Sequence, residues 1–273
     1  MKHSKRVLDI VKNYTLLNDD FMKIVFADKE CTQLMLQIIL EKRDLEVITV
    51  KSEYTVNNLH GRGVRFDVYA KDSKGIQYDI EVQRSDKGAN RKRARYNSSM
   101  LDANITEPGD DYEQLKETYV IFITENDVIG NGLPIYHVDR VIKETGELFN
   151  DKAHIIYVNS EITDETELGR LMYDFRCKNA DEMKNKLLSE KVKMLKETDE
   201  GVDSMCKAVE DYGKELREKG ILEGIEKGKA EGMAKGMAKG RAEGMAKGKM
   251  DTLEVLRKLG VDEKILQEAL KAK

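Results

Sequence analysis

Residues 64–83 read VRFDVYAKDSKGIQYDIEVQ, two strands with a tight reversal between them. Asp72-Ser73-Lys74-Gly75 is small and polar, and its glycine is available for positive φ. Before the turn, Phe66, Val68 and Ala70 alternate with Arg65, Asp67 and Tyr69. After it, Ile76, Tyr78, Ile80 and Val82 alternate with Gln77, Asp79, Glu81 and Gln83. Strand side chains change face at every residue, so each arm has an apolar and a polar face. If Asp72 meets Ile76 around the turn, Ala70 faces Tyr78, Val68 faces Ile80 and Asp67 faces Glu81. A slip of one residue would send the apolar set to the wrong side.

Facing carboxylates repel and destabilise a sheet. A divalent cation between them removes that penalty, and oxygen ligands from one or two carboxylates suit Mg²⁺. An ion there would polarise a phosphodiester and acidify a water. The other reading of the same pattern is a hairpin with a solvated polar face.

Asp67 followed some dozen residues later by Glu81-Val82-Gln83 resembles the PD-(D/E)XK nuclease motif, with glutamine at the lysine position. Together with Phe21-Met22-Lys23, Arg93-Ala94-Arg95-Tyr96, Leu171-Met172-Tyr173-Asp174-Phe175 and a glycine-repeat tail, it resembles the recombination-promoting nuclease and transposase family of bacteria. That resemblance implies an α/β fold: a restriction-endonuclease-like core with a mixed sheet flanked by helices, plus an all-helical C-terminal extension. It implies a metal-dependent DNA endonuclease linked to recombination or mobile elements. Asp67, Glu81 and the Val82 carbonyl would be ligands of Mg²⁺, with Mn²⁺ as an alternative ion. Gln83 would orient water in place of the lysine, and Arg93 or Lys87 could supply the charge it lacks. The family's first helix often carries a further acid near the site, and Glu30 and Asp20 are the candidates. A fold that binds DNA without cutting it, or a toxin or defence nuclease restrained by its tail, are the alternatives.

The 273 residues suffice for one sizeable domain and an appendage. Net charge is −4, so contact with a polyanion must come from local patches. Cys31, Cys177 and Cys206 are far apart and odd in number, which speaks against disulfides or structural zinc and suits a reducing cytoplasm. The start lacks a signal peptide's apolar core, and no run reaches the length of a membrane span.

A helix is expected from Phe21 to Leu40 with a break near Ala27-Asp28, then a strand over 45–56 and the hairpin. Ser85-Asp86 is expected to cap a helix to Ile105. Lys87, Arg91, Lys92, Arg93 and Arg95 crowd its start with Tyr96 next, against the helix dipole. A phosphate backbone beside the acids would explain them, as would a solvated basic face. Strands are expected at 119–124, 133–138 and 154–158, completing a core over 1–163. Residues 164–218 read as helices. Over 219–250 glycine recurs every fourth residue, each one costing a helix roughly 0.8–1.0 kcal/mol against alanine. Eight cations against four glutamates make that stretch +4. It reads either as a marginal helix that orders on a partner, self-association through the tail included, or as a linker. Residues 251–273 read as a helical hairpin.

Overall fold

The computed structural model describes residues 3–58, 61–84, 88–104, 109 and 111–266. Its contacts divide the chain into Met1–Tyr212 and Gly213–Lys273.

In the first unit, three helices lead in: α1 (Lys5–Asn13), α2 (Asp19–Val25) and α3 (Lys29–Ile39). The break between α2 and α3 falls where Asp28 caps α3, its carboxylate accepting from the Glu30 and Cys31 amides. Then come β1 (Val47–Val56), β2 (Val64–Asp72), β3 (Gln77–Gln83), α4 (Arg91–Ala103), β4 (Thr118–Thr124), β5 (Ile135–Val138) and β6 (Ala153–Asn159). The helices α5 (Glu167–Arg176) and α6 (Lys186–Glu197) follow, and α7 begins at Asp199. The six strands form one mixed sheet in the order β1-β2-β3-β4-β6-β5, with β1 and β5 at its margins. β3, β4 and β6 run parallel, which requires a crossover, and α4 provides the one from β3 to β4.

The hairpin has the register its apolar pattern requires: Val68 pairs with Ile80 and Ala70 with Tyr78. Asp72 builds the reversal. Its amide donates to the Ile76 carbonyl at 3.0 Å, its Oδ1 accepts from the Lys74 and Ile76 amides, and Gly75 takes φ +83°.

The sheet is covered on both faces. Val68, Ala70, Tyr78, Ile80, Val82, Ile121 and Ile123 pack into one apolar cluster with α1–α3. Leu171, Phe175, Leu188, Val192 and Met205 join that cluster, so the helices after residue 164 share the main core. On the other face Ala94 of α4 packs with Val120, Phe122 and Tyr157.

The helix after the hairpin begins later than Ser85-Asp86 would place it. Asn90 is the cap, its Oδ1 accepting from the Lys92 amide at 2.8 Å. Residues 85–87, and with them Ser85, Asp86 and Lys87, lie outside the described residues, as do 105–108, 110 and 267–273.

In the second unit α7 continues without a break to Lys258, so the glycine repeat is helical throughout. A Cβ added at any glycine of the repeat would meet no atom within 4 Å among the described residues. The chain turns at Gly260, φ +79°. Among the described residues no helix is long and apolar enough to cross a membrane.

Candidate active site

The polar face of the hairpin is not solvated. Asp79 and Glu81 have no exposed surface, and Asp67 is 7% exposed. Continuing the ladder one pair beyond Val68–Ile80 sets Asp67 opposite Glu81, and period two sets Asp79 on the same face as Glu81. Three carboxylates therefore lie on one buried face of the hairpin. Asp67 Oδ2 and Asp79 Oδ1 are buried without any hydrogen-bond donor.

Each neighbouring layer sends a cation into this cluster. From α4, Arg93 pairs with Glu81 Oε2, donates to the Gly88 carbonyl at 3.0 Å and lies over the Phe122 ring. One turn on, Asn97 Nδ2 donates to Asp79 Oδ2 at 2.9 Å and to Glu81 Oε1 at 3.4 Å. From α2, Lys23 Nζ lies 3.4 Å from Asp67 Oδ1 and 2.9 Å from Asp19 Oδ2. It also reaches Glu53 Oε1 at 3.5 Å. Glu53 adopts φ +53°, a left-handed conformation rare for a residue with a side chain and a source of local strain.

Burial sets the protonation of the acids. It pushes Asp67 up to about 6, reinforced by Asp19 and opposed by Lys23 and Arg93. Asp79 is pushed up to about 8 by burial and, in smaller part, by Asp67, against the hydrogen bond from Asn97. Glu81 is raised by burial first, then by Asp79 and Asp67, with Arg93 pulling the other way. The cluster is short of positive charge.

The donor set suits a hard divalent cation: carboxylate oxygens, of which Asp67 Oδ2, Asp79 Oδ1 and Asp19 Oδ1 are buried without donors. Among the described residues, no three acidic, histidine or cysteine side chains are already gathered around one point as a bound ion needs. The ammonium of Lys23 and the guanidinium of Arg93 hold the carboxylates instead. The fit is therefore one of chemistry, with the two cations as its competitors.

The residues expected here divide clearly. Asp67, Glu81 and Gln83 come together, Gln83 Nε2 donating to Glu81 Oε2 at 3.2 Å. Val82 turns its side chain into the core and offers only its backbone. Arg91, Lys92 and Arg95 are exposed on α4 and form no ion pair among the described residues. Arg93 and Tyr96, expected on DNA, are engaged inside the protein. The Tyr96 hydroxyl donates to the Arg62 carbonyl and accepts from Asn58 Nδ2 at 3.2 Å. Glu30 is exposed in the first turn of α3, and Asp20 accepts from the Tyr14 hydroxyl at 2.7 Å. The helix acid beside Asp67 is Asp19, to which, as to Lys23 and Asp79, the sequence patterns assigned no part in the site. The signals were present: Asp79 is two residues from Glu81 on its face, and Asp19 and Lys23 are spaced i, i+4 on one helix face.

A mixed sheet whose second and third strands bring Asp67 and Glu81 together, followed by a crossover helix to a parallel fourth strand, is consistent with the α/β core of PD-(D/E)XK nucleases. The chain belongs to the family described as PD-(D/E)XK nuclease family transposase, which matches residues 16–227. No curated protein and no solved structure matches it.

Proposed function

We propose that the protein is a divalent-metal-dependent DNA endonuclease that hydrolyses phosphodiester bonds, serving recombination or mobile-element activity. The observation that carries this reading is acceptor facing acceptor: buried carboxylates on β2 and β3 with oxygens that no donor satisfies. Asp67, Glu81 and the Val82 carbonyl would hold Mg²⁺ or Mn²⁺. When bound, such an ion polarises the scissile phosphate and lowers the pKa of a water.

The chain's own groups do the rest. Arg93 and Asn97 fix the Glu81 carboxylate in place. The Gln83 amide, within reach of Glu81, has a carbonyl free in kind to accept from a water and orient it. Arg91, Lys92 and Arg95 hold the phosphate backbone through charge, without reading bases. The word transposase in the family description supports a role in DNA rearrangement. A second reading, DNA binding without turnover, is favoured by the neutral Gln83 and by Arg93 sitting on Glu81.

Nicking of supercoiled plasmid in Mg²⁺ tests the proposal. Wild type is expected to cut, with Asp67→Asn and Glu81→Gln reduced at least about a hundredfold, in the range seen on removing one electrostatic group from a catalytic site. Equal cleavage by all three would remove these residues from the chemistry. Binding without cleavage by wild type would support the second reading.

A further inference from the structure

Lys23 is an ammonium almost shut off from solvent, 8% exposed, at the N-terminal helical layer's contact with the carboxylate cluster. Taking an ammonium out of water costs several kcal/mol unless it is well paired. Here its three N–H donors have three carboxylates within reach: Asp19 at 2.9 Å, Asp67 at 3.4 Å and Glu53 at 3.5 Å. The chain places Glu53 there through a left-handed backbone at an edge strand, an arrangement with a conformational cost of its own.

The motif position where the fold would carry a lysine holds Gln83, which brings no charge. Arg93 cannot move freely into that role, being fixed by Glu81, the Gly88 carbonyl and the Phe122 ring. We propose that Lys23 supplies from α2 the positive charge that position 83 lacks, its ammonium meeting a phosphate oxygen brought to the carboxylate cluster. The inference rests on the nuclease reading above. Glu53 is the partner that yields. Its side chain is half exposed where that of Asp67 is buried, so a phosphate oxygen arriving from solvent takes its place on the ammonium while Asp19 and Asp67 hold Lys23 in line. No proton leaves Lys23 in this role.

The discriminating variant is Lys23→Gln, which removes the charge and keeps an amide donor, one bond shorter, on the side of Asp19 and Asp67. Plasmid nicking should fall about a hundredfold in kcat with KM within about threefold, the loss typical of one electrostatic donor. Lys23→Arg should recover at least tenfold over Lys23→Gln. Returning the charge to the strand, in Lys23→Gln/Gln83→Lys, should recover at least as much. Calorimetric titration with Mn²⁺ alone gives a readout without turnover: Lys23→Gln should bind severalfold more tightly, because no ammonium competes for Asp67. Nicking by Lys23→Gln within threefold of wild type would overturn the proposal, as would failure of both charge-restoring variants to recover activity. If wild type itself does not nick DNA, the nuclease reading falls on its own, and the Mn²⁺ titration decides Lys23. Affinity unchanged or weakened by Lys23→Gln would then refute it.

Discussion

Replacing Arg93 with methionine would separate an internal counter-ion from a DNA contact. Glu81 has no exposed surface, and Arg93 is its one cationic partner among the described residues. After the change, the carboxylate keeps two neutral donors, Asn97 at 3.4 Å and Gln83 at 3.2 Å. Removing one partner of a fully buried pair costs about 3–5 kcal/mol. The guanidinium side chain is 38% exposed, so part of that is screened, and about 2–3 kcal/mol remains, the range of a hydrogen bond to a charged group. Glu81→Gln alone should cost much less, since its amide needs no cation and Arg93 can turn to water. The assay is urea unfolding of wild type, Arg93→Met, Glu81→Gln and the double variant at pH 7. The coupling energy from the cycle should be about 2 kcal/mol, well above the few tenths of independent sites. Coupling under about 0.5 kcal/mol would refute the reasoning and return Arg93 to the surface cations.

Other consequences follow from neighbouring features. Arg91→Ala/Lys92→Ala/Arg95→Ala should weaken DNA binding for all sequences alike and flatten the log–log salt dependence by about 2–3, at roughly 0.9 per phosphate contact; an unchanged slope in fluorescence anisotropy would exclude these three. Asp28, which caps α3 and pairs with Lys191 at 2.9 Å, has its pKa lowered: burial opposes ionisation, but the Lys191 contact and the backbone amides outweigh it. Its folded value lies below the unfolded one, so its contribution is complete above the unfolded value of 3.8 and lost as pH falls through the folded one. The stability difference between wild type and Asp28→Asn should thus be flat from about pH 5 upward and shrink on acidification; a gap that widens in acid would contradict this. A Cβ on Gly169 would run into the Asp164 carbonyl oxygen and lie 2.6 Å from the Asp164 nitrogen, so Gly169→Ala should cost about 1–3 kcal/mol in a melting experiment.

The hairpin was legible because two rules agree on it. Period-two apolar spacing and the Asp72–Gly75 turn leave one register, and that register brings Asp67 to Glu81. The later strands are legible as short apolar runs, but their places in the sheet are not: β6 lies between β4 and β5. What the sequence concealed depends on docking between elements. Nothing local to Asp19 or Lys23 reveals which strand α2 will meet, and an acid at a helix start reads equally well as dipole chemistry. Arg93 and Tyr96 looked like surface groups because a basic run carries no mark of which member turns inward. The glycine repeat left helix and linker both open, because its per-residue cost works against a helix that nothing else in the sequence forbids; α7 is continuous through it.

The outer strands of the sheet bear on how the molecule avoids its own kind. A bare strand margin offers a row of unspent amides and carbonyls to any passing backbone, and long, straight margins recruit them best. β5 is only four residues long. β1 is longer, but its register shifts at Val47–Thr49 and its backbone turns left-handed at Glu53. The same backbone twist that brings a carboxylate to Lys23 therefore also spoils β1 as a template for cross-chain ribbon growth, so straightening it with Glu53→Val should be judged by turbidity on storage as well as by enzyme assay.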